Sequence, residues 1–188
     1  MPGRAGVQGA RAVTNRARRY LILPAVATLV VLADQVTKYL VRRRLAPGQS
    51  VTLAPWLAPV LQVTHVTNTG AAFGLFRGFS QVFIGVAVIV IVALIWYYLQ
   101  LPRGQWTLHI ALGLQLGGAT GNLIDRLRFG GSVLDFVDLN FWPLRRWPVF
   151  NVADSSIVVG VTLLTLTMLW EEWREGQANR QLATAEDD

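Results

Sequence analysis

The segment Val82–Leu101 constrains the fold of this chain most, because about 20 consecutive residues carry no charge. A helix rises 1.5 Å per residue, so a run of this length crosses the roughly 30 Å hydrocarbon core of a bilayer. The chain is 53% hydrophobic and 15% charged, which is too apolar for an ordinary soluble protein. Three further segments have a similar character, and together they predict a bundle of four transmembrane helices: Tyr20–Val41, Trp106–Ile124 and Val152–Trp170.

Polar segments flank the predicted membrane domain, which covers residues 20–170. Residues 1–19 hold five arginines without an apolar period, which predicts a disordered, basic cytoplasmic tail. Residues 171–188 are predicted to be a cytoplasmic C-terminal tail. Arginines are equally numerous on the two sides of the predicted bundle, so their distribution gives no orientation. Because the first helix usually dominates, we expect a cytoplasmic N-terminus.

Charge and composition also limit the kinds of partner and cofactor that the chain can bind. The formal net charge is +6, but the arginines lie at the ends of apolar runs, which indicates contact with membrane lipids rather than nucleic acid. Cysteine is absent, so disulfides, thiolate metal sites and cysteine nucleophiles are excluded. The two histidines, His65 and His109, have no partner at ligand spacing, and we therefore expect no metal and no cofactor.

Two longer connections are predicted to lie outside the lipid. Leu61–Thr67 alternates apolar and polar residues, which predicts a strand in a small extracytoplasmic sheet. Residues 129–149 combine phenylalanine and tryptophan with glycine and proline, as is typical of an amphipathic segment at the headgroup level.

Carboxylates are scarce in the first 170 residues, and each lies in or beside a predicted membrane segment: Asp34, Asp125, Asp135, Asp138 and Asp154. An aspartate at the centre of a membrane helix costs roughly 2.5 to 3.5 kcal/mol by insertion scales, so it is usually paired or functional. Asp34 and Lys38 are spaced i, i+4 and can pair on one face of the first helix.

Asp125 ends the third predicted helix and Asp154 begins the fourth, and each follows an asparagine by three positions, Asn122 and Asn151. Antiparallel neighbouring helices would bring these two ends together. Two adjacent carboxyl groups tend to share one proton, so that one acts as a base for water and the other as an acid, as in an aspartyl protease.

Asp125 and Asp154, each taken alone, could also have simpler roles. Asp154 could be only an N-cap of its helix, and Asp125 could form only an ion pair with Arg126 or Arg128. A small proton-coupled transporter also uses aspartate, lysine and asparagine within a membrane, and a non-enzymatic assembly factor is a further alternative.

Five motifs in order resemble the lipoprotein signal peptidases, also called signal peptidase II, over about Leu21–Trp170. They are Asp34-Gln35-Val36-Thr37-Lys38, Asn68-Thr69-Gly70-Ala71-Ala72-Phe73, Gly121-Asn122-Leu123-Ile124-Asp125-Arg126, Val133-Leu134-Asp135-Phe136 and Phe150-Asn151-Val152-Ala153-Asp154. The resemblance implies an all-α membrane fold with a small β part: four transmembrane helices, an extracytoplasmic β-cradle and a short periplasmic helix.

The same resemblance implies an aspartic endopeptidase of the bacterial inner membrane whose site faces the extracytoplasmic side. Its substrates would be diacylglyceryl-modified prolipoproteins, cut before the lipidated cysteine, and we expect a monomer. By position, Asp125 and Asp154 match the catalytic pair. The positions that match the substrate-binding set are Asp34, Lys38, Asn68, Gly70, Asn122, Arg126, Asn151 and Ala153.

We expect the remaining sequence features to have no direct part in catalysis. Asp135 and Asp138 are expected to be structural, by capping or by pairing with a nearby arginine. The loop from Asn68 to Phe76 is expected to move over the bound peptide. The cluster Arg42–Arg44 is absent from the family pattern and is expected to make no contact with the catalytic pair.

Overall fold

The computed structural model describes residues 21–70, 79–101 and 105–186 of the chain. The helices are α1 (Ile22–Arg44), α2 (Ser80–Gln100), α3 (Trp106–Arg128) and α4 (Val152–Glu186). The strands are β1 (Ser50–Val51), β2 (Leu61–Asn68) and β3 (Val133–Leu139), and two short 3-10 helices cover Pro55–Leu57 and Leu144–Arg146. The predicted N-terminal tail, most of the predicted mobile loop and residues 102–104 lie outside the described residues.

Three of the described helices are long and apolar enough to cross a membrane: α1, α2 and the part of α4 from Val152 to Ala178. The chain is therefore a multi-pass membrane protein. Helix α2 is the most apolar, with a mean hydropathy of 2.7, and none of its residues is buried in the protein. Helix α3, predicted as a fourth span, is not among the three, because polar residues and glycines interrupt its apolar sequence.

Helix α3 is central and packs against each of the other three helices. Glycines on its surface permit this close packing. A Cβ atom at Gly117 would lie 2.6 Å from the Cβ of Val30 in α1, and one at Gly121 would lie 2.8 Å from an oxygen of Asp34. Small residues four apart let helix backbones approach closely, as is common in membrane proteins. The packing at Gly121 brings the carboxylate of α1 beside α3.

The three strands form an antiparallel sheet in the order β1-β2-β3, and the predicted strand at Leu61–Thr67 is confirmed. The register shifts between Val63 and Val66, where β2 has one more residue than the facing part of β3. Within residues 129–149, which were predicted to be an amphipathic segment, β3 occupies Val133–Leu139. Between β3 and α4 the described helix is only the 3-10 turn Leu144–Arg146.

A small hydrophobic core fastens the sheet to the end of α1. Val41 and Leu45 from the end of α1 pack with Leu134 and Phe136 of β3, and all four side chains are buried. Strand β3 is therefore held against the helical part, directly beside the residue Asp135.

Helix α4 has no break at residue 170. It continues to Glu186, so the segment 171–186 of the predicted C-terminal tail is helical. Trp170 and Trp173 pack against each other near this boundary, with ring centroids 5.2 Å apart.

Candidate active site

A cavity of about 570 Å³ opens where the end of α3, the strand β3 and the start of α4 meet. Its polar lining comprises Asn68, Gly70, Asn122, Arg126, Asp135, Asp154 and Ser155. Its apolar wall comprises Val133, Trp147, Pro148, Val149, Phe150 and Ile157–Val159. Two carboxyl groups thus share a mostly apolar cavity, which is the usual composition of a binding site with a few convergent polar groups.

Asp154 is held by the start of its own helix. The backbone N–H of Asn151 donates to Asp154 Oδ2 at 3.1 Å, and the backbone N–H of Asp154 donates to Asn151 Oδ1 at 2.9 Å. This reciprocal pair is a capping box, which satisfies two N–H groups that the first helical turn leaves free. Asn122 Nδ2 donates to the other oxygen, Asp154 Oδ1, at 2.7 Å. The predicted capping role is therefore present, and the carboxylate also faces the cavity.

Asp135 enters the cavity from β3. Asn68 lies diagonally across the sheet, since it pairs with Val133, and its Nδ2 donates to Asp135 Oδ2 at 2.9 Å. Asn151 Nδ2 donates to the other oxygen at 2.7 Å. Asp135 is 3% exposed, and its burial, followed by the charge of Asp154, raises its pKa to about 6. The hydrogen bonds from the two asparagines oppose this rise.

Asn151 connects the two carboxyl groups. Its backbone N–H binds Asp154 and its side-chain amide binds Asp135, while its side chain is completely buried. One residue therefore fixes both acids at the same cavity. Asp135 was expected to be structural, by capping or by pairing with an arginine; the hydrogen bonds to its carboxylate come from asparagines.

A polar stripe on α1 lies beneath the cavity: Asp34, Lys38 and Arg42 are spaced four residues apart on one helix face. Lys38 Nζ lies 2.8 Å from Asp34 Oδ2 and 3.4 Å from Asp125 Oδ2. It also donates to Asn122 Oδ1 at 3.1 Å. The predicted pair of Asp34 and Lys38 is confirmed, and both side chains are fully buried.

Asp125 belongs to this lower layer and does not line the cavity. Its Oδ2 accepts from Arg42 Nη2 at 2.9 Å and from the backbone N–H of Leu134 at 3.0 Å. Gln35 Nε2 donates to its Oδ1 at 3.2 Å, and the side chain is fully buried. An ion pair was among the expected roles of Asp125, but its arginine partner is Arg42 rather than Arg126 or Arg128.

The two predicted catalytic residues have different surroundings. Asp135 shares the cavity with Asp154, whereas Asp125 pairs with Lys38 and Arg42 on the side of α1. The expectation that Arg42–Arg44 makes no contact with the predicted catalytic residues is wrong, since Arg42 binds Asp125.

The remaining predicted residues divide between the cavity and the layer beneath it. Asn68, Gly70, Asn122 and Arg126 line the cavity, and the Arg126 guanidinium lies 5.4 Å from the centre of the Phe83 ring. The residues below the lining are Asp34, Lys38, Asn151 and Ala153, each with 0% exposure. The backbone N–H of Ala153 donates to Asp34 Oδ1 at 3.0 Å, which joins the start of α4 to α1.

Three residues outside the cavity have other environments. Asp138 accepts a hydrogen bond from Thr64 Oγ1 at 2.7 Å, rather than from an arginine. His65 is buried in β2, within the predicted strand, and its Nδ1 lies 2.8 Å from the carbonyl oxygen of Leu45. His109 is buried within α3 with its ring edge-to-face against Tyr98.

Comparison with known proteins decides the family. The sequence profile of the family described as Signal peptidase (SPase) II matches residues 26–170. This chain belongs to the signal peptidase II family. The resemblance noted in the sequence is thereby confirmed, and the chain is assigned to a family of peptidases rather than to transporters.

Relatives and solved structures agree with that assignment. A lipoprotein signal peptidase of Moorella thermoacetica is 44% identical over 151 residues, covering 80% of this chain and 95% of that protein. One from Halothermothrix orenii is 43% identical, covering 80% and 97%. A bacterial membrane enzyme structure determined in meso at 2.3 Å resolution has a TM-score of 0.70 and 33% identity, covering 80% of this chain and 88% of that one.

Sequence reasoning missed three residues of this candidate site and the layer beneath it. Asp135 was predicted to be structural, although its Val-Leu-Asp-Phe motif was among those that carried the resemblance. Gln35 adjoins the Asp34 of the first motif and donates to Asp34, to Asp125 and to the carbonyl oxygen of Gly121. The spacing of Arg42, eight residues after Asp34, was the available signal for its place in the stripe.

Proposed function

We propose that this protein is an aspartic endopeptidase that removes signal peptides from diacylglyceryl-modified prolipoproteins, cutting before the lipidated cysteine, with Asp135 and Asp154 as the catalytic pair. The observation that carries the proposal is that these two carboxyl groups line one cavity and are joined through Asn151. The names of the relatives, lipoprotein signal peptidases, support the substrate class.

The chemistry follows from one proton shared between two carboxyl groups. Burial of Asp135, followed by the charge of Asp154, raises the pKa of Asp135 to about 6, so the pair retains a proton at a higher pH than an exposed aspartate does. The protonated carboxyl donates a hydrogen bond to the scissile carbonyl oxygen. The ionised one takes a proton from a water molecule as the water oxygen attacks the carbonyl carbon.

The second half of the reaction returns the protons. The tetrahedral intermediate collapses when the amide nitrogen receives a proton from the pair and the C–N bond breaks. The signal peptide leaves with a new carboxyl group, and the lipidated cysteine keeps a free amine. Asn122, Asn68 and Asn151 hold the carboxyl oxygens in place throughout, which reduces the reorganisation that the reaction requires.

The surroundings of the pair suit an apolar substrate chain. Val149, Phe150 and Ile157–Val159 form an apolar wall beside the two acids, and Asn68 and Gly70 provide polar groups at the sheet edge. In the proposed complex, the peptide lies across this cavity while its acyl chains remain in lipid beside the exposed helices. Arg126, which also lines the cavity, is proposed to contact the peptide.

We propose that α3 is a fourth membrane span, because α1, α2 and α4 surround it and shield its polar residues from lipid. The site lies at the ends of α1 and α3 and at the start of α4. With the N-terminus in the cytoplasm, that end faces the extracytoplasmic side of the bacterial inner membrane. The protein is proposed to act as a monomer on prolipoproteins within the lipid.

The test is cleavage of a diacylglyceryl-modified prolipoprotein peptide by purified protein in detergent. We expect Asp135→Asn and Asp154→Asn to abolish cleavage while the protein remains folded. Asp138→Asn is the matched control, since Asp138 lies on the same strand but binds Thr64 instead of facing the cavity. Normal cleavage by Asp135→Asn would remove that residue from the mechanism. Absence of cleavage by the parent protein would refute the substrate assignment.

A further inference from the structure

Arg42 connects the end of α1 to the part of the protein that carries Asp135. Its guanidinium lies 2.9 Å from Asp125 Oδ2 and 3.7 Å from the centre of the Phe129 ring at the end of α3. Its side chain is 25% exposed, so it lies at the edge of the buried polar layer. A cation at this position also complements the carbonyl end of α3.

The oxygen that Arg42 binds is the one that holds β3. Asp125 Oδ2 accepts the backbone N–H of Leu134 at 3.0 Å, and Leu134 directly precedes Asp135. The chain of contacts therefore runs from Arg42 through one carboxylate oxygen to the peptide unit beside the proposed catalytic carboxyl. Leu134 is 2% exposed, so its N–H has no ready replacement by solvent.

Arg42 is also needed for the charge balance of the layer. Two buried carboxylates, Asp34 and Asp125, face two cations, Lys38 and Arg42. Lys38 is closer to Asp34, at 2.8 Å, than to Asp125, at 3.4 Å. Without Arg42, Lys38 alone would face both carboxylates, and a buried carboxylate that lacks its partner rotates or admits water. Either response weakens the acceptor for Leu134.

We propose that Arg42 is a positioning residue for catalysis: through Asp125 it fixes the Leu134 N–H and thereby the location of Asp135 in the cavity. This inference rests on the proposed function of Asp135. Arg42 is not among the residues that line the cavity, so its role concerns the rate of the chemical step rather than binding of the peptide. A displacement on the order of 1 Å at a reacting group reduces rates by about a hundredfold.

The first experiment compares Arg42→Gln with Arg43→Gln in the cleavage assay. Arg43 is the next residue on α1 and lies 5.0 Å from the ring of Tyr39, away from Asp125, so it is the matched control. We expect Arg42→Gln to lower kcat by about ten- to a hundredfold with KM changed less than about threefold, and Arg43→Gln to match the parent. Arg42→Lys, which keeps the charge but not the planar contact with Phe129, should fall between them.

The second experiment measures hydrogen exchange at the Leu134 amide in detergent micelles. Exchange should be faster in Arg42→Gln than in the parent and Arg43→Gln. Adding Arg42→Gln to Asp125→Asn should cause no further increase, because Arg42 acts through that carboxylate. Unchanged exchange and unchanged kcat in Arg42→Gln, or a further increase in the double variant, would overturn the inference.

Asp135→Asn, measured in parallel, separates the two proposals. If it cleaves normally, the proposed catalytic pair is wrong, whatever the exchange data show. If it is inactive while Arg42→Gln is fully active, the catalytic pair stands and only the role of Arg42 is refuted.

Discussion

Asp135 should make the stability of this protein depend on pH in a way that an exposed aspartate would not. Its burial and the neighbouring Asp154 raise its pKa from 3.8 to about 6. The folded protein therefore binds this proton more tightly than the unfolded chain. The resulting contribution to stability is fully present below pH 3.8 and is lost as the pH rises through about 6. At 1.36 kcal/mol per pH unit, the difference corresponds to about 3 kcal/mol of unfolding free energy.

The assay is equilibrium unfolding in mixed micelles between pH 4 and 7.5 for the parent, Asp135→Asn and Asp138→Asn. Other groups titrate in all three proteins, so the quantity of interest is the difference between the parent and each variant. For Asp135→Asn this difference should change by about 2.5 kcal/mol across the range, because a small part of the total is already lost at pH 4, with the parent losing stability relative to the variant as pH rises. Asp138→Asn should follow the parent. If Asp135→Asn also follows the parent to within about 1 kcal/mol, the burial argument is refuted.

Two further predictions concern the helices that hold the site. Gly121→Ala would place a methyl group 2.8 Å from Asp34 Oδ2 and should destabilise the protein by about 1–3 kcal/mol in the same unfolding assay. Gly85→Ala, which meets open space, should instead stabilise α2 by up to about 1 kcal/mol, and equal effects at both sites would contradict the packing described. Asn151→Ala should lower stability by about 1–2 kcal/mol through loss of the cap, and cleavage by about a hundredfold or more. Its control is Asn140→Ala, which removes hydrogen bonds with Ala58 and Arg145 but none with the two carboxyl groups. Cleavage by Asn151→Ala within about twofold of the parent would contradict the bridging role.

The membrane helices could be predicted from the sequence because lipid imposes a simple rule on length and apolarity. The predicted Val82–Leu101 differs from the observed α2 by only one or two residues at either end. The strand β3 could not be predicted in this way. Its first four residues, Val133–Phe136, are all buried, so the alternation that marked β2 is absent from its sequence.

Most residues of the candidate site could be predicted from the sequence, but the arrangement of their side chains could not. Asn122 and Asp125 lie one turn apart on α3, and helical spacing alone assigns them similar directions. In the structure Asn122 binds Asp154, whereas Asp125 binds Arg42. The difference arises from cations on α1 and from the N–H of Leu134, which are distant in sequence. Which aspartate reaches the cavity is therefore decided by tertiary contacts that local spacing does not encode.

The capping box between Asn151 and Asp154 has a consequence for inhibition. A compound that engages Asp154 competes with the helix itself, because both oxygens of this carboxylate already accept hydrogen bonds from Asn122 and from the main chain of Asn151. Compounds that donate a further hydrogen bond to Asp154, without displacing the bonds from Asn122 and Asn151, leave the first turn of α4 intact. Compounds that displace them must unwind the same turn that presents their target, so we expect the tightest ligands to leave that turn undisturbed.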